Sequence, residues 1–174
     1  MAHTFFDESY YLTVNSDVAA AVSRGVFTSG LQHYELFGAR EQRNASAEFN
    51  TAYYSFWNAD VQTAINQGAF RSPVDHFDQF GVAENRGPNA VLAEFDTARY
   101  LSDNPDVNAA VSAGMLRSAL EHYLVFGEGE ERQAFTKSGG QLEANPPPAA
   151  NADEHSVELT GIASSQSGGD AGGM

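Results

Sequence analysis

Residues 95–132 read FDTARYLSDNPDVNAAVSAGMLRSALEHYLVFGEGEER, and this stretch decides the fold class because helix boundaries follow one another within it. Asp96 is a residue type that caps the first turn of a helix. The Asn-Pro-Asp at 104–106 is typical of a second helix start, since proline is favoured at the first helical position and an acid in the first turn. Ser118 provides a third start, and Gly114 is typical of a helix end. The stretch therefore predicts three short helices.

The same pattern occurs twice more towards the N-terminus, aligned without a gap on an anchor phenylalanine. The anchors Phe6, Phe49 and Phe95 lie 43 and 46 residues apart. The other recurring residues are Tyr11, Tyr54 and Tyr100; Asn15, Asn58 and Asn104; Asp17, Asp60 and Asp106; Gly25, Gly68 and Gly114; Ser29, Ser72 and Ser118; His33, His76 and His122; Gly38, Gly81 and Gly127; Glu41, Glu84 and Glu130; and Arg43, Arg86 and Arg132. Recurrence at fixed offsets predicts tandem repeats whose short helices must pack on their neighbours. We expect an all-α array or compact bundle, with repeats at residues 1–46, 47–90 and 91–134.

A change of composition separates these repeats from residues 135–174. That segment contains one aromatic residue, Phe135, together with a run of three prolines and several Gly-Gly pairs. It has too little apolar surface to offset the entropy of ordering, which predicts a mostly disordered acidic tail. The apolar stretch 157–162 is the one part of this tail for which we predict a structure or a role, either a weak strand or a recognition peptide.

Composition excludes several classes of protein. The chain has 174 residues, 23 acidic and nine basic residues and no cysteine, with a net charge of −14. The excess of acid argues against nucleic-acid binding, which needs a basic patch. The lack of cysteine excludes disulfides, thiolate zinc sites and cysteine nucleophiles. No apolar run is long enough to span a membrane.

The recurring histidines and aspartates are residue types that bind metal ions, so a metal site has to be considered. His33, His76 and His122 lie in different repeats, so we interpret each as a helix-face histidine that bonds within its own repeat. The recurring aspartates are interpreted as first-turn helix acids, with a calcium site at each Asn-x-Asp as the alternative. A dedicated calcium loop supplies six or more oxygens, which this spacing does not. No cofactor is predicted, and calcium is the one candidate metal.

The remaining candidates concern binding and catalysis. The recurring Glu and Arg at the end of each repeat are interpreted as a closing ion pair or a contact with a neighbouring helix end. The aromatic residues are interpreted mainly as core, with stacking on a sugar or a partner as the alternative for Tyr11, Tyr54, Trp57 and Tyr100. Common catalytic motifs are lacking. An enzyme would need residues unique to one repeat, of which Asp75, His76 and Asp78 are the best group.

The full pattern FDxxYYLxxNPDVxAAVxxGxxxSAxxHYxxFGxxEGR resembles a repeat of roughly 45 residues in bacterial secreted and cell-surface proteins, often beside haemolysin-type (RTX) calcium-binding repeats. Residues 95–132 match it best, and residues 49–86 depart from it most. The resemblance implies a secreted or envelope-associated module exported without a cleaved N-terminal signal, and residues 155–162 resemble a C-terminal export signal. The Gly-Gly-x-Gly-x-Asp array is missing, so calcium binding of the RTX kind is not implied.

We therefore expect a non-enzymatic structural or interaction protein. Its partner would be another copy of itself, an envelope polysaccharide or a larger surface complex, with the tail used for export or attachment. A calcium- or glycan-binding surface module is the first alternative, and a small hydrolase is the second. A cytoplasmic location is the alternative to export.

Overall fold

The computed structural model describes residues 4–142, and within them the chain is helical without a named strand. The helices fall into three triplets that follow one another along the chain. The first triplet is α1 (Glu8–Val14), α2 (Ser16–Ser23) and α3 (Gly30–His33); the second is α4 (Thr51–Trp57), α5 (Ala59–Asn66) and α6 (Pro73–His76); the third is α7 (Thr97–Asp103), α8 (Pro105–Ser112) and α9 (Ala119–His122). The predicted all-α class is confirmed for these residues.

The predicted helix boundaries are confirmed by the capping hydrogen bonds. The first helix of each triplet is capped by Asp7, Asn50 or Asp96, whose side chain accepts a bond from the backbone N–H three residues later. The third helix of each triplet is capped in the same way by Ser29, Ser72 and Ser118. The recurring glycines that follow the second helices have φ of +73° at Gly25, +79° at Gly68 and +71° at Gly114. Glycine is favoured there because a Cβ strains this left-handed backbone.

The asparagine between the first two helices of each triplet stands at the N-cap position of the second helix, as the predicted helix start requires, but its side chain bonds elsewhere. Asn15 and Asn104 make no side-chain capping bond to the helix that follows. The Nδ2 of Asn15 instead donates to the carbonyl of Tyr11 at 2.8 Å, and Asn104 donates to the carbonyl of Tyr100 in the same way. The asparagine therefore closes the preceding helix and leaves its Oδ1 for another donor.

Each third helix continues into a π-helical turn, at Tyr34–Gly38, Phe77–Gly81 and Tyr123–Gly127. The wider turn shows in the bond from the Ala39 N–H to the Tyr34 carbonyl, five residues earlier, at 2.9 Å. π-Turns are rare, and they change the angle at which side chains leave a helix. Here the turn places a glycine beside the first helix of the triplet.

The core is aromatic and runs through all three triplets. Tyr11, Tyr54 and Tyr100 are at most 1 % exposed, and they pack against the anchor phenylalanines and against Tyr34, Phe77 and Tyr123. No buried side-chain nitrogen or oxygen in residues 4–142 lacks a hydrogen-bond partner. Helices of seven or eight residues are marginal in isolation, so this shared core is what holds them.

Successive triplets are joined by side chains rather than by closely packed helices. The Tyr34 hydroxyl bonds to the Thr51 hydroxyl at 2.9 Å, and the ring of Phe5 packs edge-on against Phe77 at 4.9 Å. The Ser118 hydroxyl donates to the Val82 carbonyl at 2.7 Å. Each junction is therefore buried and hydrogen-bonded.

Residues 134–142 fold back on the third triplet, although the sequence places the start of the tail at 135. The Asp96 N–H donates to the Phe135 carbonyl at 2.8 Å, and Leu142 is 6 % exposed. The guanidinium of Arg99 lies 3.2 Å above the Phe135 ring. The compositional boundary missed this segment because one aromatic and one leucine suffice to anchor it. The predicted export signal and the apolar stretch 157–162 lie outside the described residues.

Candidate functional site

A buried tyrosine–histidine pair stands at the centre of each triplet. The Tyr hydroxyl and the His Nδ1 are 3.0 Å apart in the pairs Tyr11–His33, Tyr54–His76 and Tyr100–His122. The tyrosine comes from the first helix and the histidine from the third. The two residues are 22 positions apart in sequence, so the bond connects the first helix of the triplet to the third.

The recurring glycine at the end of the π-turn leaves space for the tyrosine hydroxyl. A Cβ added to Gly38, Gly81 or Gly127 would overlap the hydroxyl oxygen of the tyrosine in the same triplet. Tyr, His and Gly therefore recur together because they meet at one point. This geometric reason explains the recurrence of the glycine better than its conformational freedom does.

Burial keeps both members of the pair uncharged at neutral pH. Desolvation raises the pKa of the Tyr100 phenol to about 12 and raises the pKa of Tyr54 further. Desolvation also lowers the pKa of His76, and the nearby Arg86 guanidinium lowers it further. A neutral histidine with its proton on Nε2 can accept the tyrosine proton at Nδ1. This arrangement suits a structural hydrogen bond.

A second recurring cluster joins the start of the second helix to the segment that follows the π-turn. In the second triplet the Arg86 guanidinium donates to Asn58 Oδ1 at 2.8 Å, to both oxygens of Asp60 at 2.8 and 3.0 Å, and to Glu84 at 2.6 Å. Arg43 and Arg132 make the equivalent bonds in the other two triplets. The predicted closing ion pair between Glu and Arg is confirmed, and the aspartate and asparagine complete it.

The arginine of each cluster lowers the pKa of the aspartate that it binds. The bonds from Arg132 hold the pKa of Asp106 at about 2, and the equivalent arginines lower the pKa values of Asp17 and Asp60. The aspartate side chains remain 60–63 % exposed, so water screens these pairs. Each cluster has two carboxylates and one guanidinium, which leaves a net negative charge at the surface.

Most of the predicted binding residues belong to the core. Tyr11, Tyr54 and Tyr100 are buried, and His33, His76 and His122 are only 6–7 % exposed. These six side chains therefore pack inside their triplets, and each histidine bonds to the tyrosine of its own triplet. Phe49 and Phe95 are buried, and Phe6 packs against Tyr11.

The candidate catalytic group of Asp75, His76 and Asp78 does not converge on one point. Asp75 accepts bonds from the Arg71 N–H and from Gln79, while His76 bonds to Tyr54. Asp78 accepts a bond from the Thr4 N–H at 3.1 Å. The three side chains therefore bind separate partners. Among residues 4–142 no group of three or more His, Asp and Glu is arranged to hold a metal ion.

Trp57 is the exception among the predicted binding residues, because it is 66 % exposed at the end of α4. Its neighbour Phe56 is 76 % exposed, and their rings lie edge-on at 5.3 Å. Tyr53 packs beside Trp57 at 6.2 Å. We call these three residues the aromatic patch. Sequence reasoning missed Phe56, although its position holds Thr13 and Ser102 in the other triplets.

Comparisons with known proteins returned no match: neither a family model, a curated protein nor a solved structure is similar to this chain. In the part of the chain that the structure describes, no helix is long and apolar enough to cross a membrane.

Proposed function

We propose that this chain is a non-enzymatic interaction module made of three tandem helical repeats, at residues 1–46, 47–90 and 91–134, which docks on a larger envelope or surface complex. One observation carries the proposal. The recurring tyrosines, histidines, asparagines and arginines are engaged in internal bonds, and the recurring Phe37, Phe80 and Phe126 are about half exposed, whereas the two most exposed aromatic residues, Phe56 and Trp57, are found in one copy alone. Recurring residues thus support the fold, and binding falls to the residues that differ.

The contacts between repeats favour a foreign partner over end-to-end assembly of identical chains. Arg71 at the start of α6 pairs with Glu35 of the preceding copy at 2.6 Å. Arg117 at the equivalent position of the third copy donates to the Asp78 backbone carbonyl in the same direction. The outer ends lack these partners: Thr28 occupies the arginine position of the first copy, and Leu124 occupies the acid position of the third.

The C-terminal end is also covered by the chain itself. Residues 134–142 pack where a fourth copy would begin, and the Lys137 ammonium donates to the Ala93 carbonyl at 2.8 Å. Repeat proteins commonly carry such atypical terminal segments, which prevent further stacking. The proposal therefore includes a closed, non-propagating array.

Export to the medium or the cell envelope belongs to the proposal through the resemblance described above. The experiment is fractionation of the native producer into medium, surface, periplasm, cytosol and membrane, followed by size measurement of the purified full chain. We expect the protein in the medium or the envelope, retained there in a complex much larger than its own 18.7 kDa. A free monomer confined to the cytosol would reject the proposal.

A glycan-binding surface module is the second candidate, and the exposure of Trp57 favours it because sugars stack on indole rings. Isothermal titration with envelope polysaccharide separates it from protein binding. For calcium, a melting temperature that moves by less than about one degree between millimolar calcium and chelator would argue against binding, since a saturating ligand of the folded state raises the melting temperature.

A further inference from the structure

We propose that the aromatic patch of Tyr53, Phe56 and Trp57 binds a protein segment that combines arginine or lysine side chains with apolar ones. The inference rests on the proposed interaction function and names the surface and the chemistry of the partner. The two exposed rings of the patch are dispensable for folding, and they are accessible to solvent. Acidic residues lie near the patch in sequence, and an arginine stacks on an aromatic ring elsewhere in the chain.

The fold does not need the two exposed rings. The positions of Phe56 and Trp57 hold Thr13 and Val14 in the first copy, and a serine and an aspartate in the third. All three helices nevertheless have the same length of seven residues and the same type of N-cap. Contiguous exposed apolar residues commonly mark an interaction surface, and the adjacent pair Phe56–Trp57 is found in one copy alone.

The patch has the composition of an interface centre. Tryptophan and tyrosine are the residues most enriched among those that dominate binding energy. The edge-on arrangement of Phe56 and Trp57, with an interplanar angle of 85°, leaves both rings accessible to solvent. An arriving apolar side chain can therefore contact two ring faces at once.

The charges around the patch favour a cationic partner. Burial and the negative charge of Glu94 both raise the pKa of the Tyr53 phenol. Asp60 follows Trp57 by three residues, its side chain is 63 % exposed, and it belongs to the cluster of two carboxylates and one guanidinium described above. Cations are drawn to such a surface and are further stabilised over the face of an indole.

The chain itself contains an arginine side chain that stacks on an aromatic ring. Arg99 occupies on α7 the position that Tyr53 occupies on α4, and its guanidinium covers the Phe135 ring at 3.2 Å. Arginine therefore stacks on an aromatic residue at the equivalent helix of the next copy. We expect a partner arginine to cover Trp57 in a comparable manner.

The sole tryptophan of the chain makes the test direct, because fluorescence excited at the long-wavelength edge of the indole absorption, where tyrosine does not absorb, reports on Trp57 alone. The full chain is titrated with a ten-residue peptide of alternating Arg and Leu, with a Glu-Leu peptide and with a neutral hexasaccharide. The variants are Phe56→Thr and Trp57→Val, which copy the first repeat, and Met115→Ser as the matched control. Met115 is 74 % exposed and lies away from α4 in sequence. Calorimetry replaces fluorescence for Trp57→Val.

We expect saturable binding of the Arg-Leu peptide that weakens as salt rises. Phe56→Thr and Trp57→Val should each weaken it about tenfold or more, while Met115→Ser leaves it unchanged. The inference would be overturned if the Arg-Leu peptide did not bind, or if the Glu-Leu peptide bound equally well. Saturable binding of the sugar in place of the peptide, or unchanged affinity in both patch variants, would also overturn it. If the protein still fractionates with a large complex in that event, the proposed interaction function stands and the patch is not its site.

Discussion

The phenolic oxygen of Tyr54 lies 3.0 Å from Nδ1 of His76, and both side chains are almost completely buried. A buried hydrogen bond of this kind matters most when one partner is removed, because the remaining group loses its bond to water as well. The same pair occurs in each triplet, so its contribution to stability can be measured three times in one chain.

Tyr54→Phe should lower the free energy of unfolding by about 1–3 kcal/mol, since it leaves Nδ1 of His76 without a donor. Tyr53→Phe, on the half-buried face of the same helix, should change it by about 0.5 kcal/mol or less. Urea unfolding monitored by circular dichroism measures both values. Equal effects of the two substitutions would argue against a structural role for the Tyr54–His76 bond.

Gly127→Ala should destabilise the protein by about 1–3 kcal/mol, because the new Cβ would overlap the Tyr100 hydroxyl in a filled core. Gly129→Ala is the matched control, since its Cβ would meet only the Phe126 carbonyl at an ordinary 3.5 Å. Removal of the hydroxyl makes room, so the double variant Tyr100→Phe/Gly127→Ala should lose less than the sum of the two single variants. Strict additivity in denaturant unfolding would contradict the proposed contact.

Stability should fall as the pH drops below about 6.5. Burial lowers the pKa values of His33, His76 and His122, so the unfolded chain binds protons at a higher pH than the folded chain. The histidine contribution is fully present above the pKa of about 6.5 in the unfolded chain and is lost as pH falls through the lowered values. Besides burial, the charge of Arg86 lowers the pKa of His76 further, while the charges of Glu84, Asp60 and Asp75 oppose the shift.

The measurement for this pH dependence is the melting temperature between pH 8 and pH 5. We expect a plateau above pH 7 and a decline below pH 6.5. His76→Asn keeps an acceptor for Tyr54 but does not titrate, so it should reduce the slope of the decline by about a third, since one of three equivalent groups is removed. A slope that is the same in the wild type and in this variant would assign the acid sensitivity to other groups.

Glu131→Gly should stabilise the protein by about 0.5–1 kcal/mol, because Glu131 has φ of +55° and a side chain strains this backbone more than glycine costs in entropy. Gln42→Gly, at φ of +58°, should stabilise the protein by a similar amount. Asn85→Gly should increase stability less, because asparagine tolerates the left-handed backbone region better than other side chains. Gly114→Ala, at φ of +71°, should have the opposite sign. Thermal melting compares all four, and destabilisation by Glu131→Gly would contradict this account.

Local sequence was enough to predict the helices. Capping by Asp96 and Ser118 and termination at Gly114 depend on bonds within a few residues, so they could be identified from residue type and spacing. The helix start at Asn104 was predictable in the same way, but the bonds of its side chain were not, because they include one from Arg132, 28 residues away.

The candidate site was only partly predictable, for the same reason. The sequence showed that Tyr54, Trp57 and His76 were unusual, but it could not tell which of them was buried. Burial depends on contacts between distant segments, such as the close approach of Gly81 to the Tyr54 hydroxyl and the bond between Tyr54 and His76. Phe56 was missed because its significance is its exposure, and exposure is a property of the packed molecule.

The sequence by itself determined the all-α class, the helix boundaries and the recurrence of the contact residues in three copies, because these follow from short-range bonds and fixed spacing. Tertiary structure alone decided that the recurring tyrosines and histidines pair inside the core, that residues 134–142 cover the third triplet, and that Phe56 and Trp57 remain at the surface. The physical reason is that burial is decided between segments far apart in the chain, where the shape and free volume of the neighbouring elements determine which side chains lose their contact with water.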